Sequence, residues 1–314
     1  MVVASGGLHC GHEYLPGGAP IGIGRDAAIQ LASDVEVLIV WGIGRELGEV
    51  IKAVPRDKRP KVIAVNHSDG SSWYFREVME QMEPWTDAFV HVCPTGKTVF
   101  PEERWADSYF IANGIDETRI KSTVSRRQMR HTYGVRDDEF AIVTISRISR
   151  EKRIELIIET AKILPQKYRF IIVGPCYDAA YGKEISQLSE GVQNFAIHDP
   201  VDNPGDVLNG ADLFLLTSEY EGFALAMGEA IMLGVPVVST QVGILEDLGF
   251  LARTVAPETA TAQCFADHIV ADLSDEKGRT DRAREARSII HKKYSADQFA
   301  DQWQSLIDSL IDVS

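Results

Sequence analysis

The chain has 314 residues, 45% of them apolar and 25% charged, a globular composition of about two domains that excludes disorder, collagen-like repeats and a disulfide-stapled miniprotein. Its net charge of −14 argues against a general nucleic-acid binder. Residues 1–136 carry 16 basic and 17 acidic side chains, a net −1, and residues 137–314 carry 16 and 29, a net −13, so the first half is less repelled by an anionic acceptor or membrane, although an ordinary solvated surface fits the same numbers.

Taken in chain order, short apolar runs alternate with amphipathic stretches. Residues 2–4 read as a first or edge strand. Runs rich in Val and Ile at 37–41, 62–65, 88–92 and 109–112 read as buried parallel strands, with helices over 45–54 and 73–82. The polar, basic stretch 116–138, with Arg119, Lys121, Arg126, Arg127, Arg130 and Arg136, reads as a linker with a helix in it. The theme then repeats. Strand 140–145 leads into helix 151–164, where Ile154, Ile157, Ile158, Ala161 and Leu164 fall at helical spacing. Strand 168–173 stops at Gly174-Pro175; helix 180–188, strand 194–197, a short helix near 206–210 and strand 213–216 follow. Helix 223–233, strand 236–239 and helices near 260–273, 280–291 and 296–311 close the chain. Such alternation implies parallel sheets. Two such domains facing across a cleft would bind ligand at the carboxyl ends of strands, with closure as the expected motion.

Cys10, Cys93, Cys176 and Cys264 are far apart and form no C-x-x-C pair, which fits a reducing compartment. Apolar runs are too short to span a membrane, and the N-terminus lacks the basic and apolar regions of a secretory signal, so a cytoplasmic location is expected.

Two strand-to-helix junctions carry the chemistry. In Glu221-Gly222-Phe223-Ala224-Leu225-Ala226-Met227-Gly228-Glu229-Ala230, two carboxylates stand eight positions apart, one at a helix mouth. Gly222 permits close backbone approach. A carboxylate beside free N–H groups suits hydroxyl donors, whereas N-capping by Glu221 and a solvated Glu229 is the plainer reading. Glu229 has neighbours that read as buried, and a carboxylate there needs a partner, which favours function. In Thr144-Ile145-Ser146-Arg147-Ile148-Ser149-Arg150-Glu151-Lys152-Arg153, Arg147 and Lys152 flank a turn suited to a diphosphate; taken alone, a solvated basic turn is the better reading.

Together these segments resemble the C-terminal domain of retaining GT-B glycosyltransferases of family 4, the glycosyl transferases group 1 type. That family has a Gly-Arg…Glu-Lys-Gly turn and a Glu-Gly-Phe-Gly motif whose first Glu stands eight positions before a second. Here Ser146 and Arg153 replace glycines of the first, and Ala224 replaces a glycine of the second. Gly234-Val235-Pro236-Val237-Val238 and Val173-Gly174-Pro175 match further family positions, in order, across roughly residues 140–256. Asn113-Gly114-Ile115-Asp116 matches a motif ending the N-terminal domain, and the strand ending at Asn66-His67 makes His67 the cleft histidine, although a strand-end His satisfied by backbone competes. Gly6-Gly7 and Gly17-Gly18 are alternative candidates for the Gly-rich loop near the donor phosphates.

The resemblance implies an α/β GT-B fold of two Rossmann-like domains: a short N-terminal acceptor-side domain, 1–122; a nucleotide-sugar-binding domain, 123–294; and a helix, 295–314, packing back toward the first. The short first domain means either that the acceptor domain is trimmed or that the start of the gene product is missing. The implied reaction is sugar transfer from a nucleotide-sugar to an acceptor hydroxyl with retention, with neither cofactor nor metal, and the absence of a D-x-D motif agrees. Arg147 and Lys152 would neutralise the departing diphosphate, assisted by N–H groups of Gly222 and Phe223. Glu221 would hold donor-sugar hydroxyls, Glu229 the ribose diol, and His67 the sugar; Ala224 and Gly174 line the donor. The acceptor is open between a glycan, a lipid-linked sugar and a small metabolite, with weak peripheral membrane attachment left open and no nucleic acid partner. A non-catalytic nucleotide-sugar-binding subunit supporting a partner enzyme is the alternative. Gly42-Ile43-Gly44-Arg45-Glu46-Leu47-Gly48 imitates a dinucleotide fingerprint with its third Gly one position late, and Pro94-Thr95-Gly96-Lys97-Thr98 lacks the first Gly of a P-loop. His9-Cys10-Gly11-His12 has no distant partner set for a metal.

Overall fold

The computed structural model describes residues 2–5, 29–30, 32–41, 47–71 and 73–312. The chain divides into two compact units, one of Met1–Ala112 with Phe299–Ser314 and one of Asn113–Gln298. The sequence Asn113-Gly114-Ile115-Asp116 therefore opens the second unit.

The first unit holds strands β1 (Val2–Ser5), β2 (Val37–Trp41), β3 (Lys61–Asn66), β4 (Ala88–His91) and β5 (Ser108–Phe110), paired in that order and all parallel. Parallel sheets are covered on both faces, and β3 from Val62 onward and all of β4 are buried without alternation. Helices Leu47–Ala53 and Trp73–Met82 bring Val50, Ile51, Val78, Met79 and Met82 onto Leu38, Val40, Val62, Ala64 and Phe89. β5 ends two residues earlier than its apolar run suggests; as an edge strand it leaves Tyr109 and Phe110 exposed. Pro94–Val99 is a 3-10 turn, not a phosphate loop: the Gly96 carbonyl accepts from Asn66 Nδ2 at 2.8 Å. Helix Ala296–Ile311, whose residues from Phe299 belong to this unit, buries Trp303 and Leu306.

The second unit holds β6 (Phe140–Ile145), β7 (Tyr168–Val173), β8 (Phe195–His198), β9 (Leu213–Leu216), β10 (Val237–Thr240) and β11 (Arg253–Val255) in one parallel sheet of order β11-β10-β9-β6-β7-β8. β11, three residues long, gives too short an apolar run to be read from sequence. Helix Ile154–Ile163 lays Ile154, Ile157, Ile158 and Ala161 onto Ile142, Phe170, Ile172, Leu213 and Leu215. Each fully buried Ile contributes roughly 1.5–3 kcal/mol. Ser125, Asp178, Asn203 and Thr261 cap the helices Arg126–Thr132, Ala179–Leu188, Pro204–Leu208 and Ala262–Ser274, accepting from first-turn N–H groups that would otherwise lack partners. The strand order reverses between β6 and β9. Connections from these two neighbours leave in opposite directions, and a crevice opens at their carboxyl ends.

Candidate functional site

Both chemistry-bearing junctions lie at that reversal. β6 runs into residues 146–149 and a 3-10 turn, Arg150–Lys152. β9 runs into Thr217, Ser218 and the loop to helix Leu225–Met232. The two loops are tied together. Thr217 Oγ1 donates to the Lys152 carbonyl at 2.7 Å, and Arg153 donates to the carbonyls of Thr217, Ser218 and Pro257 at 2.7, 3.3 and 3.0 Å. Thr240 Oγ1, at the end of β10, donates to the Ser218 carbonyl at 2.6 Å.

Across this lacing Lys152 Nζ meets Glu221 Oε1 at 2.6 Å, each side chain only 12% exposed. Ser218 Oγ donates to the same oxygen at 2.7 Å. Glu221 Oε2 takes no hydrogen bond among the described residues, so one carboxylate oxygen is held while the other is left for a ligand. The N-cap reading for Glu221 does not hold: the helix starts from Ala224, with no side-chain cap. Among the described residues the N–H groups of Gly222 and Phe223 find no protein acceptor, while the Phe223 ring is buried edge-on against Tyr294. Gly243, at φ 60°, lets its loop pack within van der Waals reach of Glu221 and Phe223; an added Cβ would lie 2.8 Å from the Phe223 carbonyl oxygen.

Arg147 is exposed and reaches Glu151 at 3.2 Å; Ser149 Oγ donates to the same Glu151 oxygen at 2.7 Å. Burial pushes the Glu151 carboxyl up, but the Ser149 hydrogen bond and the charges of Arg147 and Lys152 outweigh it and hold it below its ordinary value. Two cations and two carboxylates thus gather at this junction, with the Lys152–Glu221 pair buried and Arg147 exposed. Gly174 at the end of β7 sits over this turn, where an added Cβ would stand 1.9 Å from the Ser146 carbonyl oxygen. Only glycine permits that approach.

Glu229 lies one turn into its helix between buried Gly228 and Ala230. Burial raises its pKa, and the charge of Arg119 pulls the other way. Its carboxylate takes no hydrogen bond among the described residues. Ile115 packs on the same helix at Gly228, where an added Cβ would meet its Cδ1 at 2.6 Å, so the Asn113–Asp116 motif helps to fix this helix. Sequence reasoning missed Ser218, Thr217 and Arg153 as the supports of the pair, and Arg119 as the cation facing Glu229. Arg119 stood within the basic run, but nothing in its spacing pointed to Glu229.

His67 belongs to the first unit, directly after β3, and burial lowers its pKa to about 4. It is therefore neutral at physiological pH. Asn66 braces its loop, with Nδ2 donating to the carbonyls of Ser68 and Gly96 and Oδ1 accepting from Ser68 N at 3.0 Å. Gly6, Gly7, Gly17 and Gly18 lie outside the described residues, as do His9, Cys10, Gly11 and His12 and most of the dinucleotide-like run, 42–46. Among the described residues no three His, Cys, Asp or Glu side chains gather as a metal site would require, and no helix is long and apolar enough to cross a membrane.

Comparison with known proteins bears on this geometry. The sequence model described as "Glycosyl transferases group 1" matches residues 125–289, more than half of the chain, and the chain belongs to that family. It is 27% identical over 214 residues to N-acetyl-alpha-D-glucosaminyl L-malate synthase of Bacillus anthracis, covering 64% of this chain and 53% of that protein. It is 23% identical over 211 residues to the O-antigen biosynthesis glycosyltransferase WclY of Escherichia coli, covering 65% and 56%. The chain thus spans about half the length of the curated relatives it matches. Among solved structures, HepE of Anabaena in complex with UDP and glucose superimposes with a TM-score of 0.81 at 19% identity, over 91% of this chain and 81% of that one. TarM of S. aureus gives 0.71 at 19%, over 90% and 58%. These likenesses give the fold: two parallel α/β sheets of the GT-B class.

Proposed function

We propose that this member of the glycosyl transferases group 1 family moves a sugar from a nucleotide-sugar donor to an acceptor hydroxyl, with retention at the anomeric carbon and without a metal ion. The observation that carries the reading is the Lys152–Glu221 pair set across the strand-order reversal beside the free N–H groups of Gly222 and Phe223. A departing diphosphate needs fixed positive charge where its negative charge grows. Lys152 and the two N–H groups supply it from fixed positions, and Arg147 adds its charge from the exposed side of the turn. Glu221, its Oε1 held by Lys152 and Ser218, presents Oε2 to donor-sugar hydroxyls. Glu229 takes the ribose diol, whose two O–H donors give its half-buried carboxylate the partners it otherwise lacks. His67 contacts the sugar, a role that rests on the family resemblance. In front-face attack the acceptor oxygen bonds to the anomeric carbon as the bond to the phosphate oxygen breaks, and that oxygen takes the acceptor proton. No protein nucleophile is required.

The B. anthracis relative is named for an N-acetylglucosaminyl product and the Anabaena neighbour was solved with UDP, so UDP-sugars are the first donors to try. The purified chain is incubated with UDP-, GDP-, ADP- and dTDP-sugars and a panel of hydroxyl acceptors, with and without a chelator. The expected result is chelator-insensitive release of one nucleoside diphosphate and a product whose anomeric configuration, read by NMR, matches the donor. An inverted product removes the retaining mechanism, and loss of activity with chelator removes metal independence. Nucleotide binding without turnover for any donor and acceptor returns the binding-subunit alternative.

A further inference from the structure

A second charged concavity lies at the other end of the same sheet. Asp212 directly precedes β9, and Gly234 and Pro236 precede β10, so these residues mark the amino ends of the strands. The Lys152–Glu221 pair marks the carboxyl ends, and the four residues of β9 alone separate the two by roughly 13 Å. The first three turns of helix Glu276–Tyr294 lie beside these residues. With Ala211, Asp212, Gly234 and Pro236 the helix borders an open concavity of about 390 Å³, to which it contributes Arg279, Thr280, Ala283, Arg284 and Arg287. Arg279, Ala283 and Arg287 repeat every four residues, which puts them on one helix face.

The charge there is unbalanced. Asp212 is the carboxylate lining the cavity, and it is already engaged by Arg126 at 2.5 Å, by Arg130 at 2.9 Å and by the Ala141 N–H at 2.8 Å. Arg284 reaches Asp281 at 3.3 Å with its side chain 74% exposed, and Arg287 reaches Glu117 only at 4.0 Å. Arg279 Nη1 is buried and has no hydrogen-bond partner among the described residues. A buried guanidinium N–H without an acceptor is costly. It also stands near the amino end of its helix, where the helix dipole disfavours a cation and favours an anion. In a half of the chain whose net charge is −13, a cavity with three arginines and a spoken-for carboxylate is built for an anion.

We infer that this concavity binds a phosphate group, held by the guanidinium groups of Arg279, Arg284 and Arg287 that line it. Guanidinium groups match phosphate oxygens in pairs of parallel N–H bonds, which favours phosphate over a monovalent halide. The same chemistry is offered by a soluble phosphate ester and by a lipid headgroup. The site is independent of the donor site and does not rest on the proposed reaction.

The test uses the full chain. Inorganic phosphate is titrated calorimetrically at constant ionic strength, against wild type, the double variant Arg279→Gln/Arg287→Gln, and Lys152→Ala. Co-sedimentation is measured with phosphatidylcholine vesicles containing phosphatidylglycerol and with phosphatidylcholine alone. The expected result is a phosphate-binding phase that weakens at least tenfold in the double variant and persists in Lys152→Ala. Arg279→Gln should also leave the phosphate-free Tm no lower than wild type, because it removes a donor that has no partner. Phosphate binding without capture by vesicles assigns a soluble ligand. Capture by phosphatidylglycerol vesicles that is lost in the double variant assigns a headgroup. Phosphate binding that survives in the double variant, that is lost in Lys152→Ala instead, or that is absent together with any arginine-dependent capture, overturns the inference.

Discussion

Among the described residues, Arg153 at φ 48° and Ala224 at φ 64° are the non-glycine residues in left-handed backbone conformation. Both occupy positions where the resembling family has glycine. The conformation costs an L-residue about 1–2 kcal/mol, and the two sites answer it differently. Arg153 is held by hydrogen bonds to the carbonyls of Thr217, Ser218 and Pro257, whereas Ala224 has no side-chain hydrogen bond to offset the strain. Ala224→Gly is therefore expected to stabilise by about 1 kcal/mol in urea unfolding, and Arg153→Gly to destabilise despite relieving its backbone. Equal effects of the two would remove this account. Glu229 allows a sharper test. Burial raises its pKa by penalising the ionised form. Above that raised value the residue costs stability, and the cost disappears as pH falls below the unfolded value. Glu229→Gln should leave Tm at pH 7 unchanged or higher while weakening nucleoside diphosphate binding at least tenfold. In the wild type, binding should weaken with acidification from a pH above the ordinary 4.5 of Glu. A lower Tm with intact binding would make Glu229 structural.

At the scale of elements, the site is a consequence of how strands end. Gly174 closes β7 against the Ser146 carbonyl, and Arg153 and Thr217 join the turn after β6 to the end of β9. Gly174→Ala must push the Ser146–Arg147 backbone aside. We expect a loss of about 1–3 kcal/mol in urea unfolding, with nucleotide affinity falling alongside it; unchanged affinity would separate β7 from the site. Most elements here were legible in the sequence. Strand β6 and helices 73–82 and 296–311 have the bounds their patterns suggest, because a buried Val/Ile run and a helical apolar stripe each admit one periodic reading. The start of helix Leu225–Met232, two residues later than its pattern suggests, was not legible. The left-handed Ala224 delays it, and nothing in an alanine announces positive φ.

At the scale of the whole molecule, each unit carries its own parallel sheet and core. The family match falls on residues 125–289, within the second unit. Hydrogen exchange with and without the nucleoside diphosphate that binds should therefore show its strongest protection over residues 146–153 and 217–229. Protection concentrated instead on residues 42–48 would place the nucleotide at the dinucleotide-like run and remove the proposed site. The charge division belongs to this scale too. A first half near neutrality and a second half at −13 set the background against which the arginine-lined cavity stands out.

The sequence by itself determined the alternation of strands and helices, the two junctions with their cations and carboxylates, and the family they resemble. The first two follow from periodicity and from spacing within a dozen residues, and the resemblance from motifs matched in order across roughly residues 140–256. Tertiary structure alone decided that Lys152 and Glu221, 69 positions apart, share a proton-bonded oxygen contact at 2.6 Å. It also decided that Ser218 claims the same oxygen, that Arg119 faces Glu229, and that Arg279 is buried without a partner. The physical reason is strand order. β6 and β9 become neighbours only when the sheet reverses between them, and no local pattern records which strands will lie side by side.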